Sequence, residues 1–424
     1  MYNKKHNSYW LKWMLFLISV ILYCGIVGKQ VSAAEAAYEI GTGTISSQYS
    51  DLVNKYKSNS ADYAQNMLSY QIEALNHNLT VESRAGINSR FEEAVNKCAQ
   101  LKELKEKYIE YRATVTDEAE IEGIDAQIQS LTEQIDQYNS TISSYQTSLA
   151  ETSLQAEIES FYVIYQGLLV QEAQDKLLNN FMKKCYGLIL LQEQEDYYAS
   201  CNDYLSVVQK VEEIKFKNGV STQLSVDLAD ANLFKNNLAL QNNTKSFYLT
   251  YTEIKTETGG SDQTRIMLPI AVSKKQYSLE NTASQFEYRN VTLAQYKHLE
   301  RCYQSYLSSN NGTGTLQHQI ELKIRDYQLR YNALKNNIRT YVTDAIYTYD
   351  NEFQNLALAD KEFQIAQKNY NTMDTKKKYK KATELDVAKA KSEMESAEMA
   401  YYQCIYNIII WQNILDNGVY GATP

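Results

Sequence analysis

The sequence predicts an all-α fold of elongated antiparallel coiled-coil hairpins in two tandem repeats. Three observations carry that expectation. First, 424 residues include only 2 prolines, Pro269 and the terminal Pro424. Proline breaks helices, so a chain almost without it can form very long ones. Sandwiches, propellers and doubly wound sheets need many short turns and are disfavoured for the same reason. Second, Ile121, Ile124, Ile128, Leu131, Ile135, Tyr138, Ile142, Tyr145 and Leu149 recur at alternating steps of three and four, with mostly polar residues between them. That heptad stripe buries one seam of a helix against a partner helix. Third, Asp227-Leu228-Ala229-Asp230-Ala231 matches Asp386-Val387-Ala388-Lys389-Ala390 at an offset of 159 residues, and Gly259 matches Gly418 at the same offset.

The N-terminus is read as a signal peptide over residues 1–33. Lys4, Lys5 and Lys12 precede an uncharged run from Trp13 to Gly28, and Val31-Ser32-Ala33 supplies small residues for cleavage. An uncleaved anchor is the competing reading. Cys24 follows bulky Tyr23, which argues against a lipidated leader. Without residues 1–33 the chain keeps 38 basic and 51 acidic residues, a net charge of −13. Such acidity disfavours electrostatic binding to nucleic acid or to anionic lipid. No other segment is long and apolar enough to span a bilayer. The expected location is therefore extracytoplasmic, in the cell envelope.

The first repeat is placed at residues 34–260. Leu101, Leu104, Tyr108 and Tyr111 continue the heptad pattern upstream, so a helix ending near Tyr111 folds back on one starting near Ile121. A long helix is then expected from about Ile124 to Lys215, tolerating Gly167 and Gly187 at roughly 1 kcal/mol each. Lys217-Asn218-Gly219 stops it. A returning helix, about Leu224 to Glu257, ends at Gly259-Gly260. Residues 261–280, with Pro269, read as an irregular linker.

The second repeat, residues 281–418, is shorter. It comprises a helix from about Glu280 to Leu307, a joint at Ser308–Thr315, a helix from about Leu316 to Lys378, a tight turn, and a helix from about Glu384 to Asp416 that stops at Gly418. Residues 419–424 form a tail. A helix of some sixty residues is roughly 90 Å long, which predicts a rod or tube.

Chemistry-bearing motifs are sparse. After export the cysteines are Cys98, Cys185, Cys201, Cys302 and Cys404, scattered and odd in number, unlike a disulfide framework. Small semi-buried packing residues are the expected role. No two of His6, His77, His298 and His318 stand three or four apart, which disfavours a histidine metal site. No phosphate loop or nucleophile elbow is present. Gly41-Thr42-Gly43-Thr44 and Gly312-Thr313-Gly314 read as flexible joints. Neither an enzyme nor a cofactor is indicated.

Two windows resemble the TolC-type outer-membrane efflux proteins. The first is Phe216-Lys217-Asn218-Gly219-Val220-Ser221 followed by Asp227-Leu228 and Ala231; the second is Tyr379-Lys380-Lys381-Ala382-Thr383 followed by Leu385-Asp386-Val387 and Ala390. The resemblance implies a homotrimer whose helices, four per chain, close a hollow α-barrel. It implies that the turns Asn218, Gly219, Val220, Ser221 and Lys381, Ala382, Thr383 meet a membrane-fusion adaptor, which joins an ABC or other pump. It also implies a pore ring at Asp227, Asp230 and Asp386, with Lys389 where another acid is expected and able to pair with Asp386.

One departure from the family concerns its β-barrel. A spanning strand needs ~9–11 alternating residues, and the joints Thr114–Gly123 and Ser308–Thr315 have no room for two. An open sheet cannot span lipid either. A protomer without barrel strands, unable to pierce an outer membrane alone, is therefore expected. Tyrosines such as Tyr162, Tyr165, Tyr197, Tyr198, Tyr401 and Tyr402 suit a thin helical wall, burying rings and wetting hydroxyls, and suit plain coiled-coil packing equally. Two functions stay open: a duct component in efflux or secretion, and a secreted structural or interaction rod of the envelope with no conduit activity.

Overall fold

The computed structural model describes residues 46–260, 270–309 and 314–424. The signal-peptide reading, Gly41–Thr44, Pro269 and Gly312-Thr313 lie outside the described residues. Among those described, all regular structure is helical: α1 Ser46–Asn59, α2 Ala61–Arg112, α3 Glu118–Ile164, α4 Gln166–Lys217, α5 Gln223–Thr258, α6 Leu279–Arg289, α7 Val291–Ser309, α8 Thr315–Lys378 and α9 Glu384–Asn417. The chain forms two compact units, each drawing on both halves of the sequence. Of the described residues, one takes 46–63, 176–260, 270–277 and 344–424; the other takes 64–175, 278–309 and 314–343.

In the first unit α1, α4 and α5 meet around Leu52, Tyr56, Phe181, Cys185, Leu188, Ile189 and Ile254, with Tyr402, Tyr406 and Ile409 of α9 packed alongside. The last turns of α9 read Ile408-Ile409-Ile410-Trp411-Gln412-Asn413-Ile414-Leu415. A segment apolar on nearly every side can only be buried, and Ile408, Ile410 and Ile414 are fully so. Polar groups within these layers are paired, as burial requires. Asn243 Nδ2 donates to the Leu191 carbonyl at 2.6 Å and Asn413 Nδ2 to Asn179 Oδ1 at 2.8 Å. Residues 270–278, the described part of the expected linker, are irregular and tied down. Lys275 N donates to Tyr349 Oη at 3.0 Å, Tyr277 Oη donates to Asp416 Oδ1 at 2.8 Å, and Lys274 pairs with Asp350 at 2.7 Å.

In the second unit α2 and α3 form the expected antiparallel hairpin. Cys98 and Leu101 face Leu131 and Ile135, flanked by Tyr108, Tyr138 and Ile142. The heptad stripe read from the sequence is this seam. Asp117 caps α3 through Ala119 N at 3.1 Å, and Arg112 pairs with Asp125 across the joint.

Two expected helices prove to be broken. The stretch from Ile124 to Lys215 is interrupted at Tyr165 (φ −103°, ψ 16°), whose ring lies 4.8 Å from Phe161 and 5.9 Å from His298. Gly187, by contrast, stays inside α4. The stretch from Glu280 to Leu307 is interrupted at Asn290, which is buried. Its Oδ1 accepts from Leu293 N at 2.8 Å, so a side-chain cap starts α7 afresh. The freed Val291 N–H donates to Glu172 Oε2 at 2.7 Å, and Arg289 pairs with Asp175 at 3.1 Å.

The cysteines behave as packing residues. Cys98, Cys185 and Cys302 are buried, Cys201 and Cys404 half-buried, and all five are free thiols. Burial pushes the Cys302 thiol up to about 11, with the Glu157 charge adding to it. His298 Nε2 sits 2.8 Å from the Glu157 carbonyl, so that nitrogen serves as donor there and is not a base for Cys302 at 3.3 Å.

Candidate functional site

Both hairpin tips lie in the first unit. At the first, Val220 N donates to the Lys215 carbonyl at 2.8 Å and Gly219 N to the Phe216 carbonyl at 2.9 Å, with Gly219 at φ 73°. This is a Schellman ending, which satisfies the orphan carbonyls of α4 through one left-handed residue. Thr222 Oγ1 then accepts from Ser225 N to start α5, and Ser221 Oγ donates to Glu212 Oε2 at 2.8 Å, closing the turn onto α4.

The second tip is the same device with different residues. Lys381 N donates to the Lys376 carbonyl and Lys380 N to the Lys377 carbonyl, both at 2.8 Å. The left-handed residue is Lys380, φ 58°. A side chain there strains the backbone by about 1–2 kcal/mol. Lys380→Gly is therefore expected to stabilise the protein by about 1 kcal/mol net of glycine's larger entropy loss, read as a higher urea midpoint at unchanged slope. No rise in midpoint would deny the strain.

The tips set the repeat register. Gly219 and Lys380, and likewise Thr222 and Thr383, stand 161 residues apart, whereas the sequence motifs match at 159. Asp227 and Asp386 are thus not equivalent. Asp386 is the third residue of α9 and completes a capping box: its Oδ2 accepts from Thr383 N at 2.8 Å and Oγ1 at 2.7 Å, while Asp386 N donates to Thr383 Oγ1. Those hydrogen bonds, chiefly from the Thr383 backbone, hold its carboxyl below the usual range. Asp227 lies further into α5, bound by Gln223 Nε2 at 2.8 Å, and Asp230 is bound by Gln209 Nε2 of α4 at 2.7 Å. Lys389 faces Glu393 at 3.8 Å; the hydrogen-bond partner of Asp386 is Thr383.

Sequence reasoning missed a second set of apolar faces. On α5, Val226 and Ala229 are buried while Leu224, Leu228 and Leu238, at heptad spacing, remain about half exposed or more. On the α8 segment of the first unit, Ala345, Tyr349 and Ala359 are buried while Tyr347, Leu358 and Ile365, at steps of eleven and seven, are 57–67% exposed. In the second unit Leu68, Ile72, Leu75 and Leu79 of α2 repeat at steps of four, three and four and are 57–62% exposed. Helices with one packed and one bare apolar stripe are built to sit between two neighbours. Also in the second unit, α2, α3 and α7 border an open cleft of about 1130 Å³ lined by Val81, Arg84, Leu149, Leu154 and Tyr306.

A half-buried acidic shelf was likewise missed. Burial, then the charges of Glu398, Asp196 and Glu395, push the Glu193 carboxyl up to about 8. Glu395 and Glu398 are raised by burial first and by neighbouring acids second. Only packing α4 against α9 brings these side chains together, as the 3.0 Å contact of Cys201 Sγ with Ser392 Oγ shows for that pair of helices.

Among the described residues no group of His, Cys, Asp and Glu could hold a metal ion, and no helix is long and apolar enough to cross a membrane. The joints between α2 and α3 and between α7 and α8 are five residues each.

No protein-family model and no curated protein matches the chain. Solved structures do. The outer-membrane channel OprN aligns at 13% identity over 66% of this chain and 72% of its own, TM-score 0.43. The Campylobacter jejuni CmeC outer membrane channel aligns at 10% identity over 66% and 68%, TM-score 0.42. The open state of the Neisseria gonorrhoeae MtrE outer membrane channel aligns at 11% over 64% and 71%, TM-score 0.40. These are outer-membrane channels, the kind of protein the two turn windows resemble, and the likeness is one of fold.

Proposed function

We propose that this protein is an exported, TolC-like component of an efflux or secretion conduit, closing as a homotrimer and working with a membrane-fusion adaptor and an ABC or other pump. The observation that carries this reading is the pair of opposed apolar faces on α5 and α8. One face of each packs inside the chain, and the other presents leucine, isoleucine and tyrosine to solvent at coiled-coil spacing. A second copy supplies the missing neighbour, and repetition closes a ring. In this reading the turn Asn218–Ser221 meets the adaptor, and Asp227 and Asp230 contribute carboxylates near the narrow end. Asp386, engaged in its capping box, and Lys389, beside Glu393, are the further candidates for that ring.

The five-residue joints favour a second reading, an envelope rod without conduit activity, because they leave no length for barrel strands. Light scattering on the purified protein separates the two. A mass of three 48.8 kDa chains, less any cleaved leader, supports the conduit. Leu358→Glu with Ile365→Glu is expected to reduce that mass to one chain while leaving helicity intact. A wild-type monomer that binds no adaptor would leave the rod.

A further inference from the structure

We infer that the second hairpin tip docks end-on to an anionic lipid surface. α8 ends in Lys376, Lys377 and Lys378, and the turn continues Tyr379, Lys380, Lys381. Five of six consecutive residues are cationic on a chain of formal charge −9. All six are exposed, Tyr379 at 73%. Lys378 pairs with Asp374 at 2.8 Å, and among the described residues the other four lysines make no ion pair. The closest following acids are Glu384 and Asp386, and the latter is committed to its capping box.

Stabilising the carbonyl end of α8 accounts for cations within its last turn. It does not account for Lys380 and Lys381, which lie beyond the helix, or for an exposed aromatic ring among the lysines. That combination matches a headgroup layer, where lysine meets anionic phosphate and tyrosine settles at the interface. The shape agrees. The Schellman closure makes the tip one tight turn on which the lysines are exposed, suited to a flat partner rather than a groove. The first tip, in the same unit, differs: its Lys215 and Lys217 pair with Glu212 and Glu213, and Val220 is 77% and Leu224 66% exposed. Acidic surface elsewhere is repelled by such a layer, which selects an end-on approach.

The test is lysine footprinting by amine acetylation and mass spectrometry on the full chain, with phosphatidylcholine vesicles, with vesicles one-third phosphatidylglycerol, and with polyglutamate. The expected result is protection of Lys376, Lys377, Lys380 and Lys381 by the anionic vesicles only, lost at high salt as the charges are screened. Because the readout is local, attachment through the apolar run Trp13–Gly28 does not alter it. Each lysine near an anionic surface contributes roughly five-fold in partitioning, so K376Q/K377Q/K381Q should weaken tip engagement about a hundred-fold. Lys380 is retained in that variant because of its positive φ, and an unchanged circular dichroism spectrum verifies the fold. Equal acetylation with and without anionic vesicles overturns the inference. Protection by polyglutamate but not by vesicles overturns it too, in favour of an acidic protein partner. The result is independent of ring closure, since a monomeric tip binds vesicles as well as a trimeric one.

Discussion

Truncating Phe181 to alanine is expected to lower stability by about 3–5 kcal/mol. Phe181 is 1% exposed and stacks on Tyr56 with ring centroids 4.3 Å apart at 18°. It lies where α1, α4 and α5 converge, in the cluster completed by Leu188, Ile189 and Ile254. Removing the ring takes away its transfer free energy and leaves a cavity that long, stiff helices cannot easily collapse into. Tyr56 also loses a stacking partner, worth about 1 kcal/mol beyond area. Urea unfolding followed by circular dichroism reads the loss as a shifted midpoint. Tyr379→Ala, on an exposed ring, should change it by about 0.5 kcal/mol at most. A Phe181→Ala cost below about 1 kcal/mol would mean that α1 is not docked there.

The helices were legible wherever local chemistry ends them. Gly219, Gly259 and Gly418 all take positive φ at helix ends, and Thr222 and Thr383 cap the helices that leave the two tips. The breaks at Tyr165 and Asn290 were not legible, because neither carries proline or glycine. Asn290 is a good cap residue, but asparagine also occurs inside α5 and α8, so only its burial and the Glu172 partner reveal the break. The repeat was visible and its register was not. Lys380 takes the left-handed position that Gly219 holds at the first tip, a correspondence that residue identity hides, so matching glycines and aspartates gave 159 rather than 161. Of the candidate site, the turns were readable and the bare apolar stripes were not. Periodicity identifies an apolar stripe, whereas only the fold shows which stripe already has a partner. The acidic shelf was out of reach for the same reason, since Glu193 and Glu398 are 205 residues apart.

That shelf makes stability depend on pH. Glu193 has an ordinary value of 4.5 when unfolded and about 8 when folded, the largest cause being burial. Between those values the unfolded carboxyl has released its proton and the folded one has kept it. The unfolded state then binds fewer protons, so stability falls as pH rises through this window and levels off above it. The sign is opposite to that of a salt-bridged carboxylate such as Asp125, held low by Arg112. The Glu193 carboxyl keeps some contact with water, so the expected loss is about 2–4 kcal/mol. Glu395 and Glu398, raised in the same direction, add to it. Glu193→Gln keeps the shape and removes the titration. Urea midpoints should therefore agree for wild type and variant near pH 4.5 and diverge up to about pH 8.5, where the variant is the more stable by that amount. Parallel curves across the range would show that Glu193 is solvated in the folded protein and that α4 does not press it against α9. A rise in pH therefore acts on the packing of this pair of helices, because the shelf joins α4 of one hairpin to α9 of the other.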